Sequence, residues 1–186
     1  MKLHFAALLL FVGVWQTGEG LWIQGKAWLA QALIARAWST TLEGARQVKP
    51  WPWADTWPVA RLSVPRLGVE RYVLAGSHGA SLAFGPGHAS DTVLPGEPGN
   101  SMIGGHRDTH LAFLGKLAPG DEILVERADG RVVAYHVGHA QVLDRTEMWI
   151  ASQHGPARLT LVTCYPLDAW DAGGDLRYAV VAFPGS

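Results

Sequence analysis

Three side chains in these 186 residues stand out for chemistry, each at the end of an apolar run: a thiol, an imidazole and a guanidinium. Cys164 is the sole cysteine and closes the stretch Ala-Arg-Leu-Thr-Leu-Val-Thr-Cys-Tyr-Pro at 157–166. Leu159, Leu161 and Thr163 alternate there with Thr160, Val162 and Cys164, and Pro166 stops the run. That period of two, rich in β-branched residues, predicts a strand. A thiol at the mouth of a strand is held rigidly and stays open to a substrate. A lone cysteine is more often a small buried hydrophobe, so its company decides. A thiol becomes a useful nucleophile when it is deprotonated, which calls for a base or a cationic neighbour. His106 stands in Asn-Ser-Met-Ile-Gly-Gly-His-Arg-Asp, 100–108, where Gly104 and Gly105 let the backbone turn closely and free the ring beyond them. Arg177 stands in Gly-Gly-Asp-Leu-Arg-Tyr-Ala-Val, 173–180. Its guanidinium is always charged and offers several donors to a substrate carbonyl or a developing oxyanion. Taken singly, each has a duller reading, as a surface histidine or a solvated charge.

The elements that must position these groups are mostly short. From Val59 onward β-type runs recur at 59–64, 70–74, 101–104, 122–126, 132–143, 158–163 and 178–183, with Gly and Pro between them and a hairpin signal at Ala128-Asp129-Gly130. Such a pattern implies an all-β barrel or sandwich, with one short helix over 111–117. Ahead of it the chain differs. Lys2 precedes the apolar run Phe5 to Trp15, which reaches 21 residues from Leu3 to Ile23 only by taking in Gln16, Thr17 and Glu19. A bilayer span needs about 20 residues. No small-x-small cleavage site follows, so an uncleaved signal-anchor is favoured over a cleaved signal peptide. Residues 21–42 suit a helical period through Trp22, Ala27, Leu29, Ala30, Leu33, Ile34, Ala37 and Trp38, lying on a membrane or packed on the β domain. The Pro- and Trp-rich stretch 49–58 cannot continue a helix. The expected division is a transmembrane segment at 1–23, a helix and linker at 24–56, and a β domain at 57–186. Seven of the nine tryptophans precede residue 60, which fits a membrane boundary. The expected topology is a single crossing of the inner (plasma) membrane, with Lys2 and the amino terminus inside and the β domain exported to the periplasmic or extracytoplasmic side.

Composition excludes much else. A net charge of −1 points to no nucleic-acid partner. One cysteine rules out an intramolecular disulfide and a Cys-rich zinc site. His106 with His110, and His136 with His139, lack an acidic or cysteine group to complete a metal shell. Asp168, Asp171 and Asp175 lack a compact calcium loop. Neither a metal nor a cofactor is expected. Gly76-Ser-His-Gly79 is similar to the nucleophile motif of L,D-transpeptidases, but Ala80 occupies the position of the thiol.

Thr160-Leu-Val-Thr-Cys164, with a Gly-His motif 58 residues upstream and Leu-Arg 13 downstream, resembles the sortase family over about 57–186. The Trp-Pro-rich approach, Gly-Gly-His-Arg-Asp-Thr-His, Thr-Cys-Tyr-Pro and Gly-Gly-x-Leu-Arg-Tyr look like the class GN sortases of Gram-negative bacteria; Asp175 departs from a proline often found before Leu-Arg. The resemblance implies a closed β-barrel of about eight strands and a membrane-anchored cysteine transpeptidase. Such an enzyme cleaves an L-P-x-T-G-like C-terminal sorting signal through a thioester and passes the acyl group to an amine. It implies Cys164 as nucleophile, His106 as general acid and then base, Arg177 as donor to the substrate or oxyanion, and Thr163 as an accessory contact. Met148, Trp149 and Ile150, in the loop 143–158, are candidates for lining a site that binds Leu and Pro. Two rivals stand beside this: a membrane-anchored cysteine peptidase delivering the acyl group to water, and a non-catalytic periplasmic binding barrel.

Overall fold

The computed structural model describes residues 2–77, 79–147, 155–169 and 174–185. Eight strands form the β domain: β1 (Pro58–Val64), β2 (Val69–Ala75), β3 (Gly87–His88), β4 (Asn100–Gly104), β5 (Glu122–Arg127), β6 (Val132–Asp144), β7 (Arg158–Cys164) and β8 (Leu176–Pro184). They close into a barrel in the order β1-β2-β3-β4-β7-β8-β6-β5, with β5 returning to β1. All pairings are antiparallel except β2 with β3 and β4 with β7. The period of two explains the closure: Ala60, Leu62 and Val64 of β1 point inward, as do Ile123, Val125, Tyr135, Leu159, Leu161, Val180 and Ala182, and all are buried in one core. Tyr135 brings a phenol into that core, and its oxygen accepts the Gly96 amide at 2.6 Å. Burial holds the phenol's pKa above its ordinary value.

The strand at 87–88 is absent from the periodic runs because two residues carry no period. Gly87 is there because of a close approach: a Cβ on it would lie 2.0 Å from the Gly76 carbonyl oxygen. The stretch 111–117, expected as a helix, forms turns with a 3-10 turn at Leu114–Lys116.

A single helix, α1 (Lys2–Leu42), precedes the barrel. Ala30, Ile34, Ala37, Trp38 and Thr41 recur at helical spacing and are buried, so the C-terminal part of α1 packs on the barrel. The Trp38 indole donates to Glu126 Oε2 at 3.3 Å, and Arg61 Nε, from the neighbouring strand, reaches the same oxygen at 2.8 Å. The expected membrane anchor is overturned here. Among the described residues no helix is long and apolar enough to cross a membrane. The reason lies in the sequence of α1: the apolar run ends at Trp15 and is followed by Gln16, Thr17, Gly18, Glu19 and Gly20, so length is present without sustained apolarity. The single-pass placement in the inner membrane, the periplasmic side for the barrel and the membrane as a partner rested on that span and go with it.

Candidate active site

Where β4 and β7 end, their parallel pairing decides what comes together. Gly104 lies opposite Val162, so the residues after each strand emerge at the same end of the barrel. Two bonds fasten that junction: the Gly105 amide donates to the Val162 carbonyl at 3.1 Å, and the Thr163 hydroxyl donates to the Gly105 carbonyl at 2.8 Å. His106 is the next residue along. On the other side of β7, the antiparallel register with β8 sets Cys164 opposite Arg177. Three strand ends thus converge, and the convergence follows from pairing alone.

A cavity of about 270 Å³ occupies that point, lined by Cys164, His106 and Arg177 together with Ser77, Leu82, Met102, Gly104, Gly105, Val162 and Thr163. The thiol is half-buried and unpaired with any other sulfur. Alternation along β7 explains its orientation: Leu159 and Leu161 face the core, and Cys164 falls on the opposite side with Thr160 and Val162. Thr163 shares the core-facing parity and is buried, with its hydroxyl committed to Gly105. Arg177 is held by its own loop, Nη1 donating to the Gly174 carbonyl at 2.8 Å and the Leu176 carbonyl at 2.9 Å. The Tyr165 ring stacks on Tyr178 with 6.3 Å between centroids, beside the thiol and the guanidinium in sequence. Met148, Trp149 and Ile150, the expected lining of the loop 143–158, lie outside the described residues.

His110, four residues past His106, is drawn half out of solvent toward the Ala83 carbonyl, 3.4 Å from Nε2. Burial is the largest influence on its pKa, which is lowered from 6.5, with the charges of Arg71 and His106 acting in the same direction and the Ala83 carbonyl opposing. The shift favours the uncharged imidazole. Among the described residues no group of three or more His, Cys, Asp or Glu is placed to hold a metal ion.

Sequence reasoning missed one wall of the cavity. The stretch from Gly76, set aside because Ala80 replaces a thiol, supplies Ser77 and Leu82. It is brought in by β3, whose pairing with β2 and β4 bends the chain back over the barrel end.

A family model for the sortase domain matches residues 62–184. The chain belongs to the sortase family. Sortase D of Bacillus subtilis (strain 168) is 31% identical over 106 residues, which is 56% of this chain and 53% of that protein. Sortase A of Listeria monocytogenes is 29% identical over 110 residues, 57% of this chain and 49% of its own. This sortase thus spans about half the length of the curated relatives it matches. Among solved structures, sortase A of Listeria monocytogenes superposes with a TM-score of 0.61 at 23% identity, covering 69% of this chain and 88% of that one, a likeness of fold. The Clostridium perfringens sortase D5 transpeptidase gives 0.60 at 25% identity, covering 82% and 89%. These relatives correct the narrower expectation. These and a similar sortase C1 structure are of the A, C1 and D types from Gram-positive bacteria, so the Gram-negative class GN assignment is overturned. The motif shared with that class is too local to decide between branches of one family.

Proposed function

We propose that this sortase is a cysteine transpeptidase, its catalytic unit lying within 57–186, and that it acts on a peptide bond in an L-P-x-T-G-like sorting signal. The observation that carries the reading is the shared cavity: thiol, imidazole and guanidinium line one space at the barrel end. In the proposed cycle the Cys164 thiolate adds to the carbonyl carbon of the scissile bond. Arg177 donates to the oxygen as it gains charge, or to the substrate backbone beside it. The C–N bond breaks, and the leaving amine takes its proton from the His106 imidazolium, which leaves a thioester on Cys164 and a neutral imidazole. An incoming amine then attacks the thioester, gives a proton to His106 and releases the thiolate. The energy of the peptide bond is kept in the thioester, so no nucleotide or metal is called for. Apolar Leu82, Met102 and Val162 in the same wall suit the aliphatic part of such a signal.

The test is a mass spectrum of the full chain after incubation with an L-P-x-T-G peptide. The expected result is an acyl adduct on Cys164 that disappears when an amine is added, with the amine-ligated peptide as product. Cys164→Ala abolishes adduct and product. Arg177→Lys, whose ammonium cannot reproduce the fork, lowers kcat by about 100-fold, the scale of a lost oxyanion donor. Turnover that survives Cys164→Ala ends the proposal.

A further inference from the structure

We propose that Arg107 is a positioning residue for this reaction: its guanidinium seats the His106 loop against the turn that follows Cys164. The inference rests on the transpeptidase reading above. Ladder contacts between the two halves of the site stop at Gly105 and Thr163. Beyond them His106 and Cys164 sit on separate loops, and something else must fix their separation. Arg107, the residue after His106, spans that gap. Its Nη1 donates to the Pro166 carbonyl at 3.0 Å and its Nη2 to the Ala169 carbonyl at 2.7 Å. Pro166 is two residues past the thiol. The Ala169 amide also donates to Pro166 O, at 3.4 Å, so 166–169 is a turn offering two carbonyls to one fork. A planar guanidinium holds both at once, and a lysine ammonium is a single point.

A second, apolar contact joins the same two loops. A Cβ on Gly115 would lie 2.7 Å from Leu167 Cδ1, so Leu167 of the turn rests directly on the 3-10 turn Leu114–Lys116. That turn belongs to the His106 loop: the Leu111 amide donates to the His106 carbonyl at 3.0 Å, and Leu111 and Leu114 are buried in the core. The nucleophile's turn is thus gripped from both ends of the loop that carries the imidazole. A displacement of about 1 Å between reacting groups costs on the order of 100-fold in rate, which sets the scale of what this contact controls.

The test uses the full chain with an L-P-x-T-G peptide and follows single-turnover acylation of Cys164, steady-state kcat and KM, and melting temperature. Arg107→Ala is expected to slow acylation by about 100-fold with KM changed by less than about two-fold, since Arg107 holds protein carbonyls and not the peptide. Arg107→Lys should recover only a minor part. Millimolar guanidinium should restore part of the rate to Arg107→Ala and leave the parent unchanged, with sodium at the same ionic strength without effect. Leu167→Ala, which removes the apolar contact with Gly115, should slow acylation in the same direction, and Arg107→Lys decides the matter if Arg107→Ala does not fold. Acylation within about two-fold of the parent in Arg107→Ala, or in Arg107→Lys where that variant decides, overturns the inference alone. So does a loss that guanidinium leaves untouched and that tracks the fall in melting temperature. A parent chain that leaves Cys164 unmodified refutes the transpeptidase reading, and this inference with it.

Discussion

Replacing Thr163 by valine separates two roles for that residue. Its hydroxyl donates to the Gly105 carbonyl at 2.8 Å, and its side chain is only 2% exposed, so valine keeps the shape and removes the donor. The Gly105 carbonyl then faces a methyl group. A lost hydrogen bond costs about 0.5–1.5 kcal/mol, and an acceptor left unsatisfied about 1–3 kcal/mol. Gly105 is half-buried, so water reaches the site in part and about 1.5 kcal/mol is the expected loss. In a chain of this length that lowers Tm by about 3–6 °C. The Gly105 amide keeps its bond to Val162, so the His106 loop loosens without detaching. A shift well under 1 Å follows, and kcat falls by about 10-fold with KM nearly constant. Thr163→Ser, which keeps the hydroxyl and drops one methyl, should restore kcat while giving up about 1 kcal/mol of packing. Urea unfolding read beside steady-state kinetics on a sorting-signal peptide measures both numbers. A rise in KM with Tm and kcat unchanged would refute this reasoning and return Thr163 to direct contact with the peptide.

Two further perturbations probe the frame around the site. The Arg66 guanidinium holds Asp121 through bonds of 2.5 Å to both carboxylate oxygens, the Ala118 amide adds a third at 2.7 Å, and the carboxyl titrates below its ordinary 3.8. A depressed folded-state pKa gives stability that is complete above the unfolded value and is lost as pH falls through the folded one. Urea midpoints of the parent should therefore decline on acidification below about pH 4 more steeply than those of Asp121→Asn, and parallel curves would count against the coupling. The second concerns the wall that carries Ser77 and Leu82. Gln31 of α1 donates to the Phe84 carbonyl at 2.7 Å, and Trp51 meets the Phe84 ring edge-on at 4.9 Å. Gln31→Ala with Trp51→Ala removes about 1 kcal/mol from each contact, so amides of 79–85 should exchange faster and KM should rise about ten-fold, kcat unchanged. Unchanged exchange there would show that α1 does not hold the wall.

What could be read in advance followed the range of the interaction. The alternation ending at Cys164 is local, and its strand, stop and orientation are all visible between Leu159 and Pro166. The helical stripe at Ala30, Ile34, Ala37 and Trp38 is equally local, and its choice between a membrane and the barrel is settled by burial against β1 and β2. Three features depend on partners far along the chain and left no period to read. The two-residue strand at Gly87 exists only because β2 and β4 flank it. Ser77 enters the cavity only through that strand. Arg107 looks like any charged residue after a histidine until the turn at Pro166 closes over it. The anchor differs for another reason: the apolar residues on either side of Gln16 to Gly20 add up to the length of a span without forming a continuous run, and among the described residues no helix is long and apolar enough to cross a membrane.

The parallel pairing of β4 with β7 has a chemical consequence that an antiparallel pair could not supply. Antiparallel neighbours leave opposite ends of a sheet, so a histidine after one and a cysteine after the other would stand a strand length apart. Parallel neighbours deliver both groups to one rim, and β8, running back beside β7, begins where β7 ends and brings Arg177 to the same rim. Parallel pairs need long crossovers. Here the 53 residues between Gly104 and Arg158 contain β5, β6 and the buried Leu111 and Leu114, so the connection also supplies two strands of the barrel wall and part of its core. Local disturbances of that crossover, far from the thiol, should then act on the site through the His106 loop it begins with, which is the path Arg107 and Leu167 complete.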